Sequence, residues 1–272
     1  MKKWALSAVG YLLVVVIGYS IYAAVSSPSD STASDDSHGG HGGASETEGE
    51  GYDSNGTASS NSTVNVQFEA TSTEMNISLK DQEGNPVELQ VNHEKLLHLI
   101  VVDEHLDQYF HLHPEEVEPG EFVMVKSLEE GTYKAFIDIK PRDLSYSVDP
   151  QTFTIGEEGE SHGHTSLKTD TELSKTVNGV KVEFNPTSLK ANEEITLSFV
   201  FPNGENLQPY LGAMGHVVIL DEMGEKFVHV HPANEDETKF ITEFAESGIF
   251  KLWAEFQIDG EVYTYPFTVE IE

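Results

Sequence analysis

The 272-residue chain contains no cysteine. That removes disulfides, thiolate metal ligands, a type 1 blue-copper site, a cysteine nucleophile and a lipid anchor on cysteine. Basic residues are scarce, with 15 Lys and Arg against 47 Asp and Glu and a formal charge of -32. Nucleic acid and an anionic membrane surface would both repel such a chain, whereas cations would concentrate around it. Residues 63–155 hold no stretch of ten or more with apolar positions at a helical interval. Nucleophile motifs of the Gly-x-Ser-x-Gly kind, phosphate loops and HExxH segments are missing too. No catalytic residue is therefore assigned, and the chain is read as a non-enzyme.

The one long apolar run lies in residues 1–25. Lys2 and Lys3 precede about 22 uncharged residues, long enough for a transmembrane helix with a cytoplasmic N-terminus. Ala24-Val25-Ser26 offers the alternative of a cleaved signal peptide. The first reading predicts a single-pass cell-membrane protein with extracellular C-terminal domains, the second a secreted one. Residues 26–62 are rich in Ser, Gly, Asp and Glu, the composition of a disordered linker. They carry His38 and His41, and a second linker at 156–172 carries His162 and His164. Such His-Gly segments collect metal weakly or serve as plain linker.

Regions 63–155 and 173–272 read as short strands separated by turn signals such as Glu83-Gly84-Asn85-Pro86 and Pro202-Asn203-Gly204. They also repeat each other. His98 to Pro114, HLIVVDEHLDQYFHLHP, returns 118 positions later as His216 to Pro232, HVVILDEMGEKFVHVHP. After a one-residue slip, Gly131-Thr-Tyr-Lys-Ala-Phe136 matches Gly248-Ile-Phe-Lys-Leu-Trp253. The pattern predicts an all-β fold of two tandem immunoglobulin-like antiparallel β-sandwich domains, with small barrels as the alternative. Tyr133, Phe136, Phe250 and Trp253 are expected to pack rather than to act.

The duplicated stretch is the pattern of a β-hairpin: an apolar run, an acidic pair, a polar turn and an aromatic-rich run. Pairing about the turn centre sets residue 102 opposite 109, 100 opposite 111 and 98 opposite 113. Side-chain alternation then puts His98, His111 and His113 on one face. Opposed Cβ atoms lie about 4.5–5.5 Å apart and diagonal neighbours about 7–8 Å, within reach of one ion. His216, His229 and His231 repeat the arrangement, so one three-histidine site per sandwich is expected. Three imidazoles suit copper, zinc or nickel and leave an open coordination position. Met214, two residues before His216, adds a soft sulfur that favours copper. Leu96 stands at the matching position of the first copy, which equally fits Met214 as packing. A purely structural role for the histidines, bonded to backbone or water, is the competing reading. Asp103 and Asp221 are expected to bond the backbone of their own turns.

Pro209-Tyr-Leu-Gly-Ala-Met-Gly-His216 and Phe227-Val-His-Val-His-Pro232 resemble bacterial exported β-sandwich proteins related to YtkA-like and FixH-like domains, which are often associated with copper and other heavy metals. The resemblance covers about residues 175–272. In the first copy Asn92-His-Glu-Lys-Leu-Leu replaces the Tyr-Leu-Gly-Ala-Met-Gly segment. It implies a β-sandwich concerned with metal. The resulting expectation is a cell-surface protein that binds copper, with zinc as second choice, for metal buffering, delivery or resistance. Its expected partners are the metal ion, the membrane through the N-terminal anchor, and a cell-surface metal-handling protein, but not nucleic acid. The alternative is an extracellular adhesion or accessory interaction module with structural histidines. A metal-dependent hydrolase ranks third.

Overall fold

The computed structural model describes residues 62–157, 166–230, 232, 234 and 236–272. The expected membrane anchor, the first linker, the linker histidines and His231 lie outside the described residues. Among the described residues no helix is long and apolar enough to cross a membrane.

The first half contains β1 (Val64–Ala70), β2 (Glu74–Asp81), β3 (Leu89–Gln90), β4 (Leu97–Asp103), β5 (Tyr109–Leu112), β6 (Glu115–Glu118), β7 (Glu121–Val125), β8 (Gly131–Pro141) and β9 (Gln151–Ile155). The second contains β10 (Ser174–Val177), β11 (Val180–Pro186), β12 (Glu194–Val200), β13 (Leu207–Gln208), β14 (His216–Asp221), β15 (Phe227–Val230), β16 (Lys239–Glu243), β17 (Gly248–Ile258) and β18 (Glu261–Ile271). In the first half one sheet has the order β1-β2-β7-β6; the other runs β3-β8-β4-β5, with β9 also on β8. The second half pairs β10-β11-β12-β16 with β13-β17-β14-β15, and β18 also joins β17. Two antiparallel sheets, one with the fourth and fifth main strands hairpinned, make each half an immunoglobulin-like sandwich. The short β6, β10 and β13 are the strands whose pattern was least legible. β6, for instance, is an exposed Glu-Glu-Val-Glu edge with no apolar alternation.

Most strands alternate as a half-buried sheet requires. Met75, Ile77 and Leu79 of β2 enter the first core, as Ile195, Leu197 and Phe199 of β12 enter the second. The strands β4 and β14 differ, because they are buried along almost their whole length. Leu97, Leu99 and Val101 fill the first core, while Ile100 and Val102 on the opposite face are equally buried. Continuous apolar sequence is what a strand covered on both faces needs. Here the cover is the other sandwich: Ile100, Val102, Leu106 and Phe136 pack with Val218, Leu220 and Trp253 in a third cluster. Tyr133 and Phe250 lie in the two sandwich cores, whereas Phe136 and Trp253 belong to this seam.

The seam is an internal isologous interface, in which equivalent residues exchange partners. Tyr109 stacks on Trp253 at 4.8 Å and 11°; their counterparts Phe227 and Phe136 stack at 5.1 Å and 15°. Lys134 pairs with Glu225 at 2.5 Å, and its counterpart Lys251 lies 3.6 Å from Asp107.

One size exchange between the copies makes a test of packing. A Cβ on Gly215 would stand 2.6 Å from the Phe256 ring and 2.8 Å from the Glu255 carbonyl oxygen. The first copy has Leu97 there, paired with the smaller Ile139. Gly215→Ala is expected to destabilise by about 1–3 kcal/mol through overpacking. A lower urea midpoint would show it, and an unchanged midpoint would mean the Phe256 ring moves aside freely.

Candidate metal centre

The hairpin register matches the sequence expectation. Val102 pairs with Tyr109 and Ile100 with His111; in the second copy Leu220 pairs with Phe227 and Val218 with His229. Asp103 Oδ1 accepts from the Gln108 amide at 2.7 Å, and Asp221 Oδ1 accepts from the amides of Glu225 at 2.6 Å and Lys226 at 2.8 Å, so both acids hold their turns. With that register, His98, His111 and His113 share the outer face of their sheet. One ligand nitrogen from each lies within 4.8 Å of the others.

Among the described residues, His216 and His229 of the second hairpin do not stand apart from the histidines of the first. They meet at the seam, because the outer faces that carry them are the faces that pack together. His229 lies 5.2 Å from His98 and 5.4 Å from His111, centroid to centroid, and His216 lies 5.9 Å from His111. His93 adds a sixth ring, 5.8 Å from His216. It sits in a two-residue turn with Glu94, both at positive φ, as do Leu211 and Gly212 at the duplicated position. Met214 is half-buried ahead of β14.

Hydrogen-bond partners assign the tautomers. His98 Nε2 donates to the Asn92 carbonyl at 3.0 Å, which leaves Nδ1 as its lone-pair nitrogen. The duplicate bond runs from His216 Nε2 to the Tyr210 carbonyl at 2.8 Å. His111 Nδ1 donates to the Glu255 carboxylate at 2.5 Å, which leaves the Nε2 lone pair facing His98 Nδ1 at 2.9 Å. His229 Nδ1 bonds Asp138 at 2.8 Å. Among the described residues, His113 Nε2 is buried with no hydrogen-bond partner. Metal-binding imidazoles usually engage their second nitrogen in this manner, with a carbonyl or carboxylate.

Burial dominates the electrostatics. It holds His98 down to about 4, with the His111 ring adding to the effect and the Asn92 carbonyl opposing it. It lowers His113 to about 3, with His111 and His98 contributing. His216 is likewise lowered to about 3, chiefly by burial, and His229 lies well below the usual range for the same reason. Burial pushes the Asp138 carboxyl up, partly offset by His98 and His111. The Tyr109 hydroxyl, 3.3 Å from Glu255, is raised by burial and by that carboxylate. Neutral imidazole is the form that binds metal, so this environment keeps the donors ready.

His93, Asp138, Glu255 and Tyr109 were not legible as site residues. The available signal was the duplication: two residues beyond Phe136 and Trp253, both copies keep an acid inside a short apolar run, Ala135–Ile139 and Leu252–Phe256.

Residues 56–156 and 175–272 both match a family described as "Domain of unknown function (DUF8832)". The chain belongs to that family. One match spans β1 to β9 and the other begins within β10 and runs to the last strand, so the family domain is present twice. The match carries no YtkA-like or FixH-like name. No curated protein matches the chain. Partial matches among solved structures include the BSP domain of a biofilm associated protein, at 15% identity over 76% of this chain and 29% of that one, with a TM-score of 0.22. A two-domain fibronectin type-III segment from chicken tenascin matches at 12% identity, over 77% and 98% of the two chains, with a TM-score of 0.24. E. coli alpha-2-macroglobulin matches at 11%, over 77% and 14%, with a TM-score of 0.25. Likenesses this weak carry no argument about function.

Proposed function

We propose that this DUF8832 chain binds a transition metal, copper in first place and zinc in second, through His98, His111 and His113, and that it buffers, delivers or detoxifies the metal at the cell surface. The observation that carries the reading is the triad itself, three imidazoles whose ligand nitrogens lie within 4.8 Å of one another. The buried, unbonded His113 Nε2 adds to it, since a buried nitrogen without a partner costs free energy that an ion would recover. A bound ion would supply Lewis-acid coordination, and a three-histidine set leaves a position through which it can be passed on. Met214 and the YtkA-like resemblance of Pro209 to His216 favour copper. The surface location rests on the expected N-terminal anchor.

The test is calorimetric titration of the purified chain with Cu(II), Cu(I) and Zn(II), beside the His98→Ala/His111→Ala/His113→Ala variant. Saturable binding by the wild type, abolished in a variant that keeps its β-sheet circular dichroism, is the expected result. Unchanged binding in the variant, or none in the wild type, would remove the reading.

A further inference from the structure

We propose that the two sandwiches exchange carboxylates to build the metal site: Glu255 of the second orients His111 of the first, and Asp138 of the first orients His229 of the second. This rests on the metal reading and makes the site complete only when the sandwiches are docked.

Positions 138 and 255 are equivalent in the duplication, on β8 and β17. Within its own sheet Asp138 pairs with His98, and Glu255 with His216. Each carboxylate nonetheless bonds an imidazole of the other sandwich, Glu255 to His111 at 2.5 Å and Asp138 to His229 at 2.8 Å. The crossing is reciprocal, as are the Tyr109–Trp253 and Phe136–Phe227 stacks beside it. The pairs are also enclosed, with side chains of His111 and Glu255 only 1% and 6% exposed and those of His229 and Asp138 only 3% and 16%.

A buried carboxylate is costly to desolvate, and apolar residues would close a seam of this kind at no loss of stability. Two acids buried at equivalent points of the seam therefore indicate a role other than adhesion between the halves. A carboxylate on one imidazole nitrogen fixes the ring's tautomer and direction and strengthens the other nitrogen as a donor. For His111 that other nitrogen is Nε2, the one aimed at His98 Nδ1 within the triad. Glu255 is held in turn by the Tyr109 hydroxyl at 3.3 Å and the Thr264 hydroxyl at 3.4 Å. It is a positioning residue, and it comes from the sandwich that does not contribute the triad.

The test uses the full chain with Glu255→Gln, Asp138→Asn and Glu255→Asp, titrated with Cu(II) and Zn(II). Glu255→Gln is expected to bind metal about 10- to 100-fold more weakly, while its thermal midpoint and β-sheet signal stay near wild type. Glu255→Asp, the acid that stands at the equivalent position 138, should restore part of the affinity. In the metal-free protein, imidazole NMR should show a hydrogen-bonded His111 Nδ1 proton that Glu255→Gln displaces. Wild-type affinity in Glu255→Gln, or a lowered thermal midpoint with affinity intact, would overturn the proposal by making the pair structural. Absence of binding in the wild-type chain would instead overturn the metal reading, while the His111 Nδ1 signal would still report the crossing.

Discussion

Trp253→Ala is expected to destabilise the protein by about 3–5 kcal/mol and to loosen the two sandwiches from one another. Trp253 is 3% exposed and points away from its own core, which takes Leu252 and Ala254 from the same strand. Its ring stacks on Tyr109 of the other sandwich and packs with Ile100, Val102 and Val218. Removing it leaves a void at the seam while both sandwich cores keep their own side chains. The wild type should therefore unfold in denaturant as one transition, and Trp253→Ala at a lower midpoint with the two halves separating into distinct steps. Phe136→Ala, the duplicated position, should act in the same direction. An unchanged midpoint in Trp253→Ala would mean that the sandwiches do not depend on one another, and the seam would lose its energetic meaning.

Acid should destabilise the same seam. His98, His113 and His216 are lowered to about 4, 3 and 3, and His229 well below its usual range, all primarily by burial. In the unfolded chain these rings titrate near 6.5, so below that pH the unfolded state binds more protons than the folded one. Stability is then fully present above about pH 6.5 and lost as pH falls toward 4. The slope is at most about 1.4 kcal/mol per pH unit for each well-buried ring. His113 is the least enclosed of these four rings and contributes less. The raised Asp138 carboxyl works in the opposite sense, because it takes up a proton in the folded state before it would in the unfolded one, and offsets part of the loss. His93, His111, Glu255 and Tyr109 face the same cluster, and Lys95 acts on His113. Urea midpoints measured from pH 8 to pH 4 should be flat at first and then fall by several kcal/mol in total. A profile flat down to pH 4 would show that the seam admits water and the rings are not buried in solution.

Much of the site was legible because it is local. Strand alternation and the shared turn determine that His98, His111 and His113 lie on one face, and the observed pairing of Ile100 with His111 agrees. Asp103 and Asp221 sit where short polar side chains bond a turn, and they do so. The partner of that face was not legible. Residues 97–102 and 216–220 carry the sign of a strand buried on both sides, yet a run of apolar residues states that something covers it without stating what.

By itself the sequence determined the longer strands, the duplication, the hairpin register and the histidine face, all of which follow from chain neighbours and a period of two. Tertiary structure alone decided that the two histidine faces meet, that His216 and His229 stand beside the first triad, and that Asp138 and Glu255 reach across to the opposite imidazoles. Those contacts join residues more than ninety positions apart, as with His229 and Asp138, and no periodicity encodes them. They arise because each sandwich presents an apolar outer sheet that water disfavours, and the nearest equivalent surface able to cover it belongs to its own repeat.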